Sequence, residues 1–238
     1  MGTVNLSKPT VNLSKGGVIN LSKHTEGLQK VTVGLGWKEG EANTSYKSTT
    51  RTVTKKAGFF ARLFGSQDRV ETVTETVGLS NQTMDLDAWA IRVLDTNKVK
   101  TNEDLVAYFN KDTTDHSIHH HGDDLTGGKA GDCEQIDINL VVIPSEYKKI
   151  ILGVTIYNAE GKNQTFAKVR DAFIRIFDTY SGNEICRYDA EISKDYPDST
   201  SFIFGELVRN KDNEWEFNAI GNGQRAGKII DCLKSYLK

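Results

Sequence analysis

Hydrophobic and polar positions alternate over many short stretches of this chain, and a period of two predicts β-strands. The clearest of these stretches are residues 31–37, 85–94, 135–143, 150–157, 172–177, 184–190, 201–208 and 214–220. Turn-forming residues separate them, as in Asn158-Ala159-Glu160-Gly161 and Ser181-Gly182-Asn183. Many short strands at this spacing predict a mainly β protein, a β-sandwich of two sheets with a few short helices.

A five-residue motif occurs three times near the start of the chain. Its copies are Val4-Asn5-Leu6-Ser7-Lys8, Val11-Asn12-Leu13-Ser14-Lys15 and Ile19-Asn20-Leu21-Ser22-Lys23. Each copy alternates apolar and polar residues, which predicts short, half-buried edge strands. Gly16-Gly17 lies between the last two copies and can supply the positive-φ turn of a hairpin.

The end of the chain has a different period. Apolar residues recur there at helical spacing, namely Ile229, Ile230, Leu233, Tyr236 and Leu237. This spacing predicts an amphipathic C-terminal helix that packs on the sandwich.

Composition narrows the class of protein. The 238 residues could form one large β domain or two smaller ones, and either is large enough for a hydrophobic core. A net charge of −2 with 37% hydrophobic residues argues against global disorder and against general nucleic-acid binding. Cys133, Cys186 and Cys232 lie far apart without a Cys-x-x-Cys pair, which fits a reducing compartment. Without a long apolar run or a signal-like start, we expect a cytoplasmic protein.

Residues 38–83 differ in composition from the rest and are rich in Thr, Ser, Lys and Glu. We interpret them as an insertion of about that length into a single sandwich domain that spans residues 1–238. Two Thr/Val-rich arms, residues 49–54 and 70–77, could pair as a β-ribbon. Basic and aromatic residues at its tip predict contact with a membrane or a partner, and these are Lys55, Lys56, Phe59, Phe60, Arg62 and Phe64. A short helix that tucks the aromatics against the parent domain is the alternative.

The loop 119–134 collects carboxylates and glycines just before a predicted strand. Calcium takes six to eight oxygen ligands, so a loop that binds it must turn tightly while it aims several oxygens at one point. Asp85 and Asp87 add to this set, because alternate residues of a strand share one face and both carboxylates then lie at the strand's start. Acidic loops are also commonly plain solvated turns, which is the structural alternative.

Histidines precede the acidic loop at positions 116, 119, 120 and 121. Imidazole binds zinc, copper and nickel, but neighbouring side chains of an extended run point in opposite directions. His119 and His121 could therefore pair, whereas a closed tetrahedral site would need distant ligands.

Catalytic motifs are absent from the sequence. It contains no Gly-x-Ser-x-Gly elbow and no phosphate-binding glycine loop before a helix. Cys133 lies between Asp132 and Glu134, and this negative charge raises a thiol pKa and weakens it as a nucleophile. We therefore expect a protein that is not an enzyme.

Several of these segments, taken in order, resemble the TerD family of bacterial tellurium-resistance and stress-response proteins. The resemblance covers most of the chain and is carried by Leu21-Ser22-Lys23, Val31-Thr32-Val33-Gly34-Leu35-Gly36-Trp37, Asp85-Leu86-Asp87-Ala88, Tyr108-Phe109-Asn110, Gly122-Asp123-Asp124-Leu125-Thr126-Gly127, Phe173-Ile174-Arg175, Phe204-Gly205-Glu206-Leu207 and Trp215-Glu216-Phe217-Asn218-Ala219-Ile220-Gly221. It implies a β-sandwich that binds calcium through acidic loops at one end, with no established catalytic activity. The insertion at 38–83 has no counterpart in the family's short form.

Position by position, the resemblance implies a set of calcium ligands. These are Asp85, Asp87, Asn110, Asp123, Asp124, Asp132 and Glu134. Ala130 and Cys133 stand where the family pattern has aspartates, and cysteine sulfur suits calcium poorly. We infer that at least one of the family's two calcium sites is weakened or lost, while the remaining oxygens can fill one site.

The sequence as a whole predicts a calcium-binding stress-response module of the TerD type. Calcium-ordered loops would present a surface to other proteins of a stress-response complex or to the inner membrane, at which the protein would be peripheral. The alternative is a structural assembly protein with a degenerate metal site, in which the insertion and the N-terminal strands make subunit contacts. The sequence leaves the oligomeric state open.

Overall fold

The computed structural model describes residues 8–39, 84–122 and 131–235, together with the backbone of residues 46–55 and 69–78. The chain divides into two units, one formed by residues 1–40 and 83–238 and the other by residues 41–82.

The first unit contains two six-stranded sheets, so the predicted mainly β fold is confirmed. The strands of both sheets are β1 (Val11–Leu13), β2 (Val18–Asn20), β3 (Lys30–Glu39), β6 (Leu86–Leu94), β7 (Leu105–Val106), β8 (Ile118–His120), β9 (Glu134–Asn139), β10 (Tyr147–Ile156), β11 (Val169–Asp178), β12 (Glu184–Ala190), β13 (Ser201–Arg209) and β14 (Trp215–Gln224). Sheet A has the strand order β1-β12-β11-β3-β9-β8, and sheet B has the order β2-β14-β13-β10-β6-β7.

Helices in the described residues are single turns. They are α1 (Leu21–His24), α2 (Ala159–Lys162), α3 (Ile192–Asp195) and α4 (Ile229–Cys232), with 3₁₀ turns at Asn102–Asp104, Phe166–Lys168 and Leu233–Ser235. In that part of the chain, none of the helices has the length and hydropathy needed to cross a bilayer.

Strand β6 shows how the alternating pattern divides the hydrophobic core. Its even positions, such as Leu86 and Ala88, join the main core, to which strands of both sheets contribute. Its odd positions Trp89, Ile91 and Val93 join a second cluster with residues of the C-terminal turn. The odd positions therefore share one face of sheet B, and the end of the chain covers that face.

The C-terminal helix is confirmed in its packing but is shorter than predicted. Ile229 and Leu233 are buried in the second cluster, whereas Ile230 is exposed. Burying an aliphatic side chain of this size contributes about 1.5–3 kcal/mol. Tyr236 and Leu237 lie outside the described residues.

The prediction of a hairpin at Gly16-Gly17 was wrong. Gly16 does have a positive φ of 81°, but β1 pairs with β12 and β2 pairs with β14, so the turn leads from one sheet to the other. Both are edge strands, as expected. The third copy of the motif continues from β2 into helix α1, and Val4-Asn5-Leu6 lies outside the described residues.

The strand predicted over residues 135–143 ends early, at Asn139. The residues that follow form a turn in which Leu140 and Ile143 are buried, while Val141 is 64% exposed. The apolar run is therefore divided between the core and the surface.

The second unit contains two antiparallel strands. β4 (Tyr46–Lys55) pairs with β5 (Arg69–Gly78) in a continuous register from Tyr46 opposite Gly78 to Lys55 opposite Arg69. The tip residues Lys56, Phe59, Phe60, Arg62 and Phe64 lie outside the described residues, as does the side chain of Lys55.

Candidate functional site

The candidate site lies where β6 and β9 begin. Glu134 is the first residue of β9, and its fully buried carboxylate accepts a hydrogen bond from the backbone N–H of Ala88 at 2.6 Å. Ala88 follows Asp87 directly in β6. This bond joins two acidic segments that are 46 residues apart in sequence, one on each sheet.

His120, which the sequence placed only among the histidines that precede the acidic loop, is a buried member of this site. Its Nδ1 accepts a hydrogen bond from the N–H of Gly122 at 3.0 Å, so the ring proton is on Nε2. That nitrogen lies 3.2 Å from the carbonyl oxygen of Ala88 and 3.4 Å from Oε2 of Glu134. The alternation in β8 is the signal that could have found it, because it directs His120 inward when His119 and His121 face outward.

Asp85 and Asp87 lie at the start of β6. The carbonyl oxygen of Asp85 accepts a hydrogen bond from the N–H of Tyr157 at 2.8 Å. Asp87 is buried and borders a groove of about 480 Å³. The groove also has exposed apolar side chains along it, namely Tyr108, Phe109, Tyr157 and Ile230.

Asn110 closes a tight turn after β7. Its backbone forms two hydrogen bonds with Ala107, and its Nδ2 donates to the carbonyl oxygen of Leu105 at 2.7 Å. These bonds fix the side-chain amide and direct its nitrogen toward the backbone of Leu105. Oδ1, the atom type that calcium binds, therefore points away from that carbonyl.

Asp132 is held by an arginine. Arg175 of β11 donates from Nε to Oδ1 at 2.7 Å and from Nη2 to Oδ2 at 2.8 Å. The hydrogen bonds to Asp132 raise the pKa of the Arg175 guanidinium above its ordinary value. Gly34 makes room for the pair, since a Cβ there would fall 2.3 Å from the Asp132 carboxylate.

Asp132 and Glu134 consequently point to different sides of sheet A. Asp132 also accepts a hydrogen bond from Nε2 of Gln135 at 2.9 Å, and Gln135 follows Glu134 in the strand, so the two side chains have opposite faces. Glu134 faces the core, whereas Asp132 lies with Gln135 and Arg175. No local sequence pattern indicates Arg175, which approaches from 43 residues away.

Cys133, between these two carboxylates, is buried, and its Sγ lies 3.5 Å from the carbonyl oxygen of Trp37. Asp123, Asp124 and Ala130 lie outside the described residues. Within residues 8–39, 84–122 and 131–235, no group of three or more His, Cys, Asp or Glu side chains is arranged to hold a metal ion. The predicted ligand set is thus described only in part.

Known proteins match the chain over nearly its whole length. The family model of the TerD domain matches residues 10–236. Tellurium resistance protein TerD of Serratia marcescens is 34% identical, with 94% of this chain and 96% of that protein covered. General stress protein 16U of Bacillus subtilis is 31% identical, with 92% and 93% covered.

The fold also has a match among solved structures. A homologue of the telluride resistance protein from Streptomyces coelicolor A3(2) superposes with a TM-score of 0.59 at 17% identity, covering 88% of this chain and 98% of that one. At this identity the match concerns the fold alone. The sequence and family matches together establish that this chain belongs to the TerD family.

Proposed function

We propose that this chain is a non-enzymatic calcium-binding module of the stress response, cytoplasmic, and peripheral to a membrane when it binds one. Relatives named for tellurium resistance and for general stress support the physiological part of the proposal. The calcium part rests on the chain's own residues.

The observation that carries the calcium proposal is the hydrogen bond between Glu134 and Ala88. This bond holds the end of the acidic loop next to the start of β6. Glu134 and the acidic residues at the start of β6 therefore lie at the same end of the sandwich. Glu134 and Asp87 are both buried, burial disfavours an ionised carboxylate, and a bound cation relieves that cost.

The donor chemistry fits calcium at some positions and not at others. Asp85, Asp87, Asn110 and Glu134 offer carboxylate or amide oxygens, which are the ligands of hard divalent ions. Asp132 fits poorly, because Arg175 already neutralises it through two charge-assisted hydrogen bonds. We therefore propose one calcium site, to which Asp123 and Asp124 also contribute, and leave Asp132 out of it.

Bound calcium would supply positive charge and order the acidic loop. The chain's own residues then determine what is presented to a partner. Asp87 belongs both to the proposed ligand set and to the wall of the aromatic groove, so a state that fixes Asp87 also fixes one side of that groove. A protein partner that prefers the ordered form would bind better in calcium.

Calorimetry with calcium tests the proposal. We expect binding heat from the wild type and at least tenfold weaker binding by Asp87→Asn and by Asp123→Ala. Asp198→Asn is the control, since Asp198 is exposed and far from this loop in sequence. A wild type that gives no heat at millimolar calcium would contradict the proposal and favour the assembly alternative.

The assembly alternative assigned subunit contacts to the N-terminal strands. In the structure β1 and β2 each pair with a strand of their own chain. Each of them is nevertheless the outermost strand of its sheet and pairs along one edge, so assembly through these strands stays an alternative.

Membrane contact is a separate proposal for Lys55, Lys56, Phe59, Phe60, Arg62 and Phe64. Flotation with anionic liposomes, with and without calcium, tests it by comparing the wild type with the Phe59→Ser/Phe60→Ser variant. We expect the wild type alone to float. Equal flotation of the two proteins would remove the membrane from the proposal.

A further inference from the structure

His119 of β8 and His121, which follows the strand directly, form an exposed pair at the end of sheet A. His119 and His121 are two residues apart, so both side chains lie on the same side of the strand. Their ring centroids are 5.3 Å apart, so the predicted pairing of these two rings is confirmed. The two side chains are 46% and 47% exposed, which leaves them accessible to small ions.

Each ring is oriented by a carboxylate. Nδ1 of His119 lies 2.9 Å from Oδ1 of Asp112, and Nε2 of His121 lies 3.1 Å from Oδ1 of Asp137. A carboxylate accepts hydrogen bonds, so these two nitrogens are the ones that carry protons. In the neutral rings, Nε2 of His119 and Nδ1 of His121 then hold the lone pairs.

The two aspartates are themselves held in place. The carboxylate of Asp137 accepts hydrogen bonds from Nζ of Lys30 at 2.6 Å and from Oγ1 of Thr32 at 2.7 Å, and the backbone of Asp112 pairs with that of His119 in an isolated β-bridge. Metal-binding histidines almost always donate their second nitrogen to a carboxylate or carbonyl, which sets the tautomer and the ring orientation. Both rings of the pair have this arrangement.

The spacing of the rings also fits a shared metal. Imidazole nitrogens bind zinc at about 2.0–2.1 Å, and at tetrahedral angles this places two ring centres about 5 Å apart. We propose that Nε2 of His119 and Nδ1 of His121 chelate a divalent transition-metal ion of the zinc, nickel and copper class. Water completes the coordination, because the described residues provide no group of three such side chains.

This site is independent of the calcium proposal. It uses nitrogen ligands, which favour borderline metals, whereas the acidic loop offers oxygen ligands, which favour calcium. His120, between the two ligands, is fully buried and turned toward Glu134, so it takes no part in the pair.

Calorimetric titration of the full chain with zinc alone, and then with nickel alone, tests the pair. We expect one site in the wild type and at least tenfold weaker binding by His119→Asn and by His121→Asn. Asp112→Asn should weaken binding about tenfold, because removing such a carboxylate typically costs 10–100-fold in affinity. His24→Asn, which changes a histidine on α1, is the control and should bind as the wild type does.

The melting temperature of each variant, measured without metal, verifies that the fold is kept. Copper bound to the wild type should show nitrogen hyperfine coupling from two imidazoles in its electron paramagnetic resonance spectrum. Unchanged zinc affinity in both His119→Asn and His121→Asn would overturn the proposal. Calcium titrations of the same variants should match the wild type, so failure of one site is recognised separately from failure of the other.

Discussion

Buried charges at the two ends of strand β6 are compensated in different ways. Toward its C-terminal end, the guanidinium of Arg92, 4% exposed, donates two hydrogen bonds to the fully buried Asp104 and a third to Asp115. At its start, Asp87 precedes Ala88, whose N–H donates to the buried Glu134, and Nε2 of His120 lies 3.4 Å from that carboxylate. One end is a closed ion-pair network, and the other is the candidate site.

The comparison shows that an acidic sequence alone does not indicate a metal. Asp104 and Asp132 are both buried, and each is matched by an arginine in two-point contact. Such carboxylates have a structural role, since the guanidinium compensates their charge. A calcium site needs several oxygens that no arginine neutralises, and Glu134 has the ring of His120 beside it instead of a guanidinium.

The largest effect is expected at the closed end. Asp104→Asn should lower the free energy of unfolding by about 3 kcal/mol, because it leaves the charge of the buried Arg92 without its main partner. Urea unfolding at pH 7 measures it, with Asp198→Asn as a surface control. A loss below about 1 kcal/mol would mean that Arg92 is compensated by other groups.

Arg175→Met should have the next largest effect, about 2 kcal/mol. It leaves Asp132, whose side chain is 2% exposed, without its guanidinium partner. Calcium affinity of the folded variant should stay within twofold of the wild type, because we place Asp132 outside the calcium site. Tighter calcium binding by Arg175→Met would instead show that Asp132 can serve as a ligand once released.

A smaller effect with a pH signature is expected at Asp115. Burial opposes its ionisation, but hydrogen bonds from Ser117, Arg92 and Thr113 prevail and hold its pKa below the ordinary 3.8. A carboxylate whose pKa is lower in the folded than in the unfolded state stabilises the fold at pH values above its unfolded pKa. That contribution is lost as the pH falls through the folded pKa. Asp115→Asn should therefore cost about 1 kcal/mol at pH 6.

The difference between Asp115→Asn and the wild type should shrink as the pH falls below 4. Urea unfolding of both proteins at pH 6, 4 and 3 measures this trend. A difference that does not change with pH would show that the hydrogen bonds, not the charge, of Asp115 stabilise the network.

The smallest effect is expected for an exposed pair near the closed end. Lys100 and Glu146 are in contact at 2.9 Å, but both side chains are about half exposed. Lys100→Ala should change the free energy of unfolding by less than about 0.5 kcal/mol, because solvent screens the pair. A loss as large as that of Asp115→Asn would break the distinction between buried and exposed charge on which the comparison depends.

The alternation of apolar and polar residues predicted the strands well, because the burial of one face of a strand is visible in the local sequence. The prediction for residues 184–190 coincides with β12, Glu184–Ala190. It failed at Leu140-Val141-Val142-Ile143, since an apolar run does not reveal where a strand turns away from its sheet. The hairpin failed for a related reason, as Gly16 supplies a turn but cannot specify which strand comes next.

The candidate site was only partly predictable. The acidic residues are visible in the sequence, but the partners that distinguish them are distant. Arg175 reaches Asp132 across sheet A, and Ala88 reaches Glu134 from the opposite sheet. Such contacts depend on strand order, which alternation does not encode.

A crystal structure determined in millimolar calcium tests the central claim most directly. We predict a strong density peak at the start of β6, with carboxylate oxygens of Asp87 and Glu134 at about 2.3–2.6 Å from it. Water alone at that position, with the acidic loop unchanged from calcium-free crystals, would contradict the account.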